Sequence, residues 1–582
     1  MSRLSKLIII ISISILFGLP HLVGMLSISP YISTVVAGVT PYSFDENHYA
    51  VRIKKVFSTG LPVSDAYTYE YRYSPYVFFP FSTYLLGLFA KLIGSVQNSF
   101  IVADFIFPPI IFLTLYGLMK VLLKDDFWAV LGALIILLED QIVGFITPLL
   151  QMLTSFSVTP IVSYLSQIYS PPFYSRLENP EFSSIFFFLG LYCLIINFQQ
   201  PQFRFRIGLL ISIVMLVYSY PFYSIFLMVA SMFFLLQAVI KGNIFLKELF
   251  ILGLCLLVLC SPYLVELYRF SQLPQAVELS MRWGRETKWP YVPPTAVLTF
   301  IIFTVYTLRS NSKKSFHILS ILLGISIFFL FIFPVQTDHI VTRVIVPILR
   351  MSQIYFIYIL FIDRFPAKLH LKKRFAISMI LLLFSVSFIH AWYYSKTSIS
   401  AFTISPYVLE AYKWLDDNAN NNDVVLSYSI ETNFQLPAFA NTYMFLPYGM
   451  LTFAPTSEIK ERLRLAYKAI KADPSQLASV VGYSPTKGGR WRPTSEELET
   501  KGGFMYFVKQ GENIGGYGFA NKELEQFILE YKNTSETSLA EIVKDFKLDY
   551  LYWGSFEKTH YLLPVGVENK VFENEKVTIY KI

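Results

Sequence analysis

Phe44-Asp45-Glu46-Asn47-His48-Tyr49-Ala50-Val51-Arg52 ends a long uncharged opening. From Leu7 to Phe44 no residue carries a formal charge apart from what His21 can take. Two carboxylates then stand side by side, and a helix-like run follows through Arg52, Lys54 and Lys55. A spanning helix needs about 20 mostly apolar residues, so the opening holds a first membrane crossing. The acid pair just beyond it is a candidate for chemistry at a membrane surface.

Composition points the same way. Of 582 residues, 54% are hydrophobic and 15% charged, with a mean hydropathy of +0.50. Soluble proteins carry about 25% charged residues, so a polytopic membrane protein is expected. The net charge of +8 forms no dense basic patch, which excludes a nucleic-acid partner. Cys193, Cys255 and Cys260 lie in apolar runs and read as small buried hydrophobes. No Walker or dinucleotide glycine motif precedes a helix, no HExxH occurs, and the 7 histidines form no pair at metal spacing. Asn533-Thr534-Ser535 is a lone sequon.

Met1-Ser2-Arg3-Leu4-Ser5-Lys6 precedes an apolar run longer than a signal-peptide core, without a small-x-small cleavage site. It reads as an uncleaved first span with a cytoplasmic N-terminus. About eleven spans follow from apolar length: 7–27, 100–122, 127–143, 181–199, 205–220, 221–240, 246–267, 294–309, 316–335, 343–363 and 375–394. Lys120 and Lys124, Arg204 and Arg206, Lys241 and Lys247, Arg309 with Lys313 and Lys314, and Lys368 with Lys372, Lys373 and Arg374 then alternate to the inside. Loops 28–99, 144–180, 268–293 and 336–342 face outside. The scheme requires that 76–94, entered through Pro62, Pro75 and Pro80, lie at the outer interface without crossing.

The expected organisation is a transmembrane domain, 1–398, with a large first outer loop, 28–99, and an extracytoplasmic soluble α/β domain, 399–582. In the latter, a helix opens at Ser405-Pro406. Strands are expected at 423–429, 550–553 and 577–582, and helices at 456–471, 521–531 and 536–546. The Gly-rich 482–518 reads as a long loop. The location is the plasma membrane.

Several groups can carry chemistry. Asp45 and Glu46 can divide the work of a base and its orienter, since successive side chains point differently; a solvated loop is the plainer alternative. In Thr337-Asp338-His339-Ile340-Val341-Thr342-Arg343, continuing to Arg350, a helix would bring His339, Arg343 and Arg350 within about 40° of one another. Arg350 lies inside an apolar segment, where an arginine costs about 2.5 kcal/mol or more. Such a stripe suits a phosphate at headgroup depth; snorkelling arginines and a capping histidine are the alternative. Arg176 can pair with Glu178, with Glu181 or with a ligand; helix-entry chemistry, with Glu near the N-terminus of the next span, is the alternative. Met281-Arg282-Trp283-Gly284-Arg285 suits either sugar or headgroup binding or interfacial anchoring. Asp104 reads as a helix cap or a pocket acid.

This layout resembles the GT-C glycosyltransferases, in the branch of the protein O-mannosyltransferases and aminoarabinose transferases. The resemblance lies in one span followed by Asp45-Glu46-Asn47-His48-Tyr49, and in Tyr73-Ser74-Pro75-Tyr76-Val77-Phe78-Phe79-Pro80. It extends to Tyr218-Ser219-Tyr220-Pro221-Phe222-Tyr223, and in the tail to Leu409–Leu426, Leu548-Asp549-Tyr550-Leu551-Tyr552-Trp553-Gly554 and Val577–Ile582.

The resemblance implies a GT-C-like fold and inverting transfer of a sugar from a polyprenyl-phosphate donor to a glycan, lipid or protein acceptor. Asp45 would be the catalytic base and Glu46 its neighbour. Arg343, Arg350, His339, Arg176 and Arg52 are the candidates for the donor phosphate. Some branches carry an Asp-containing metal motif in the next outer loop; 144–180 has no Asp and, with the residue that follows it, offers only Glu178 and Glu181, which gives a divalent metal no support. Rival readings are a lipid-linked glycan flippase, which would place charges in several core helices, and a non-catalytic scaffold for glycan assembly.

Overall fold

The computed structural model describes residues 1–29, 32, 43–139, 141–142, 151, 173–242, 246–283, 290–309, 314–333, 335–364, 369–397, 403–447, 449–481, 484–485, 516–517 and 521–582. It separates into two compact units. The first comprises Met1–Leu26, Ile101–Val265 and Glu286–Ser398; the second comprises Ser27–Phe100, Glu266–Arg285 and Ile399–Ile582.

The first unit is built of apolar helices. Among the described residues, 8 helices are long and apolar enough to cross a bilayer: Arg3–Ser27, Val96–Leu123, Leu177–Gln199, Pro221–Ile240, Leu246–Ser271, Lys314–Ile332, Thr337–Phe361 and Lys373–Lys396. They coincide with eight of the expected spans. The other three expected spans are shorter helices: Asp126–Leu137, Phe203–Val217 and Pro294–Arg309. Phe203–Val217 stops because Tyr220 turns extended and Pro221 opens the next helix, where a missing N–H costs nothing. Asp125 starts Asp126–Leu137 by accepting from the backbone N–H of Phe127 and Trp128.

These helices keep large apolar side chains on their outer surfaces; Phe250, Leu257, Val258, Phe328 and Leu381 are all exposed. Water would not tolerate such continuous apolar faces, whereas lipid does. The protein is therefore a multi-pass membrane protein. Its first two spans approach closely. A Cβ on Gly18 would stand 2.2 Å from the Phe105 ring, and one turn on, His21 Nε2 and Asp104 Oδ2 pair at 2.7 Å. Asp104 is thus neither a cap nor an open pocket acid.

The second unit is organised on a mixed five-stranded sheet. Its strands are β1 (Val424–Leu426), β2 (Tyr443–Met444), β5 (Tyr550–Trp553), β6 (Lys570–Glu573) and β7 (Thr578–Lys581), in the order β2-β1-β5-β7-β6. A separate pair, β3 (Ser484–Pro485) and β4 (Gly516–Tyr517), is antiparallel; the rest of the expected 482–518 loop lies outside the described residues. β1 runs parallel to β2 and β5, and β7 antiparallel to β5 and β6. Parallel β1 and β2 need a crossover, supplied by the helix Ile430–Phe439. Central β5 is wholly buried, which accounts for its unbroken apolar run.

The two loop segments fold onto this sheet region. Tyr67 O accepts from the backbone N–H of Met444 at 2.7 Å. Fully buried Asp65 accepts from Thr452 Oγ1, from the backbone N–H of Phe453, and from those of Tyr67 and Thr68, all at 2.7–2.8 Å. From the other segment, Arg282 donates to the carbonyls of Thr452 and Ala454 at 3.1 and 2.6 Å. Glu278 accepts from the Thr456 N–H at 2.6 Å. Trp283 joins Val77, Phe270, Ala276, Leu279 and Phe453 in an aromatic core. This corrects the reading of Arg282 and Trp283 as a surface motif: both are buried, because carbonyls and rings distant in sequence enclose them. Gly284 and Arg285 lie outside the described residues.

Helix Pro80–Ile93 belongs to this unit and has 14 residues. At 1.5 Å per residue it spans about 21 Å, short of a hydrocarbon core of about 30 Å.

Candidate active site

Two places bring the chemistry-bearing residues together, one in each unit. In the first unit, Tyr220 sits in the extended break between Phe203–Val217 and Pro221–Ile240. Its hydroxyl shares a 2.8 Å hydrogen bond with His339 Nδ1. The Arg343 guanidinium lies 4.8 Å from the Tyr220 ring centre and 6.0 Å from that of Phe173. The charges of Arg343 and Arg176 both act on Tyr220 and on His339. Phe222 packs edge-on against His339 at 5.6 Å.

Arg343, Arg176 and His339 therefore converge, with Tyr220 at their centre. Arg343 is buried, and its cationic partner belongs to a different helix entrance, Arg176 preceding Leu177–Phe182. Arg343, held over the Tyr220 ring, and the charge of Arg176 acting on the same pair are of the kind that binds an anion.

Arg350 stands apart from this trio. Its Nε and Nη2 lie 2.8 and 2.7 Å from Glu139 Oε1, and Nη1 donates to Gln353 at 2.7 Å. A carboxylate beside an intramembrane arginine offsets much of its desolvation. Glu139 is the partner that sequence reasoning overlooks. The signal is present, because an acid near the end of the apolar run 127–143 asks for a counter-ion.

In the second unit, Asp45 and Glu46 lie in the first turn of the helix Ser43–Thr59, where negative charge complements the helix dipole. The side chain of Asp45 lies outside the described residues. The rest of the helix is fastened down: Asn47 donates to Phe434 O at 2.5 Å, Lys55 to Thr442 O at 2.9 Å, and Lys54 Nζ pairs with Asp416 at 2.8 Å. Arg52 is 1% exposed and donates to Phe78 O at 3.2 Å. The rings of Tyr49, Phe78 and Phe79 lie within 5.9 Å of its guanidinium. His48 stacks on Tyr67 at 6.2 Å. Burial, with Arg52 nearby, holds its imidazole well below the ordinary value, so His48 is neutral.

No family model and no curated protein sequence matches this chain. Solved membrane proteins do resemble it in chain course. One is the Archaeoglobus fulgidus oligosaccharyltransferase tethered with an acceptor peptide: 12% identity, TM-score 0.46, covering 95% of this chain and 69% of that one. The archaeal oligosaccharyltransferase AglB, in complex with an inhibitory peptide and a dolichol-phosphate, matches at 13% identity and TM-score 0.38, covering 99% and 88%. ArnT from Cupriavidus metallidurans, bound to undecaprenyl phosphate, matches at 12% identity and TM-score 0.36, covering 97% of each chain. Likeness at this level concerns chain course, and the chemistry has to come from this chain's own residues.

Among the described residues, no group of three or more His, Cys, Asp or Glu could hold a metal ion. Glu178 and Glu181 are both fully buried.

Proposed function

We propose that this protein is a membrane glycosyltransferase that takes a sugar from a polyprenyl-phosphate carrier and delivers it, with inversion, to an acceptor hydroxyl on the extracytoplasmic face. The observation that carries this reading is the convergence of Arg343 and Arg176 on the Tyr220–His339 pair in a unit made of membrane helices. A carrier lying in the bilayer would bring its phosphate to that level. The guanidinium groups would bind it through charge-assisted hydrogen bonds.

In the transfer, the acceptor oxygen attacks the anomeric carbon and loses its proton to the Asp45 carboxylate. The bond from the anomeric carbon to the phosphate oxygen breaks, and its electron pair leaves with the phosphate. Arg343 and Arg176 stabilise the charge that gathers there. Glu46 supports the base. Arg350 and Arg52, engaged with Glu139 and with Phe78, serve the framework around these groups.

The test is transfer from labelled polyprenyl-phosphate sugars in membranes carrying Asp45→Asn. A general base contributes about 10²–10⁴-fold, so transfer should fall by at least about 10²-fold with the protein still folded. Undiminished transfer would remove Asp45 from the role.

A further inference from the structure

We propose that the second unit carries a binding pocket for an uncharged sugar, built between the turn at Glu70–Pro75 and the end of the helix Leu246–Ser271. A cavity of ≈ 440 Å³ is lined there by Glu70, Tyr73, Ser74, Tyr268, Arg269 and Gln272, with Pro75 and Leu273 completing it. Its volume falls within the roughly 300–1,000 Å³ of small-molecule sites.

The lining fixes the class of ligand. Tyr73 and Tyr268 are 77% and 67% exposed, which leaves aromatic surface open at the cavity. Arg72 backs the Tyr73 ring at 4.5 Å and the Tyr69 ring at 3.7 Å, so one face is braced. Flat rings of this kind stack on the C–H faces of a pyranose while their hydroxyls hydrogen-bond to it.

The charged groups are paired already. Glu70 lies 2.8 Å from Nη2 of fully buried Arg462. Arg269 lies 2.7 Å from Glu266, whose other oxygen accepts from the backbone N–H of Tyr76 at 2.8 Å. Neither charge is left over to select an ion. What remains is a carboxylate to accept, a guanidinium to donate and the Gln272 amide to do both, which is the complement of a polyol. Glu266 also clips the helix end to the turn, and Phe270, Trp283 and Phe453 pack beneath, so the walls are held before a ligand arrives. None of these side chains takes part in the bond-making step proposed above; naming the source of the sugar rests on that reading, whereas sugar binding itself does not.

Saturation-transfer difference NMR on the full chain in phosphatidylcholine nanodiscs tests this, with glucose, mannose, galactose, N-acetylglucosamine, arabinose, maltose and lactose as probes. At least one should give a saturable signal, weakened tenfold or more by Tyr73→Ala and by Gln272→Ala, both exposed positions that leave the fold intact. Glucose 6-phosphate should bind no better than glucose. Competition by a short prenyl-phosphate sugar makes the donor's sugar the occupant, and failure to compete makes it the acceptor's; either supports the pocket. Tyrosines that serve only as bilayer anchors would give no saturable signal from any sugar. That outcome, or binding unchanged in both variants, or preference for the sugar phosphate, overturns the proposal.

Discussion

The side-chain amide of Asn47 donates to the backbone carbonyl of Phe434 at 2.5 Å. The residue two places beyond Asp45 is thereby tied to the helix that crosses from β1 to β2. Both partners are buried, so losing the donor forfeits a buried hydrogen bond worth about 0.5–1.5 kcal/mol. Asn47→Ala should lower the apparent Tm of the purified protein accordingly and reduce transfer, because the turn bearing the acid pair loses its anchor. An unchanged Tm would mean that the contact is dispensable.

Helix Pro80–Ile93 packs against Ser43–Thr59 at Gly87. A Cβ there would stand 2.4 Å from the Val56 side chain. Gly87→Ala should therefore cost about 1–3 kcal/mol by overpacking. Val56→Ala in the same chain should recover most of the loss, by denaturation in detergent. Failure of the second substitution to rescue the first would place the strain elsewhere.

Arg343 is expected to act through the donor. Arg343→Ala should raise the KM for a labelled polyprenyl-phosphate sugar by about tenfold or more, the scale of one charge-assisted hydrogen bond. Arg343→Lys should recover little, because an ammonium lacks the planar fork that binds an anion while lying against the Tyr220 ring. Tyr220→Phe should have a smaller effect in the same direction. Steady-state kinetics at fixed acceptor separates these outcomes.

His48 makes stability depend on pH. The folded chain keeps it neutral, well below the ordinary 6.5. As pH falls through about 6.5 the unfolded chain takes up a proton that the folded chain refuses, so stability held above that pH is lost below it. The slope is at most about 1.4 kcal/mol per pH unit. Denaturation of His48→Gln between pH 7 and 5 should show a shallower decline than the parent. Equal slopes would show that His48 is charged in the fold.

Much of the framework is legible in the chain. Uninterrupted apolar runs give the spans directly, since a bilayer demands length and little else. Tyr550–Trp553 and the final strand are equally plain, being apolar runs of strand length. Pairings between distant residues are not. Arg350 reads as a lone intramembrane cation, and only the fold supplies Glu139. Arg282 and Trp283 look like a surface motif because the carbonyls of Thr452 and Ala454, far along the chain, are what enclose them. At the candidate site, residue types point to an anion cradle. That Tyr220 joins Arg343 to His339 depends on the extended break before Pro221, which is a matter of backbone path.

The second unit is woven from three stretches, Ser27–Phe100, Glu266–Arg285 and Ile399–Ile582. Ribosomes add about 5–20 residues per second, so after residue 100 emerges the carbonyl of Phe434 is still roughly 17–67 s away. Throughout that interval the stretch bearing Asp45 lacks the partners that Asn47, Lys55 and Asp65 find in Phe434, Thr442, Thr452 and Phe453. Maturation of this unit therefore waits for its third stretch, and a chain stopped before that stretch would insert its spans while leaving the acid pair unassembled.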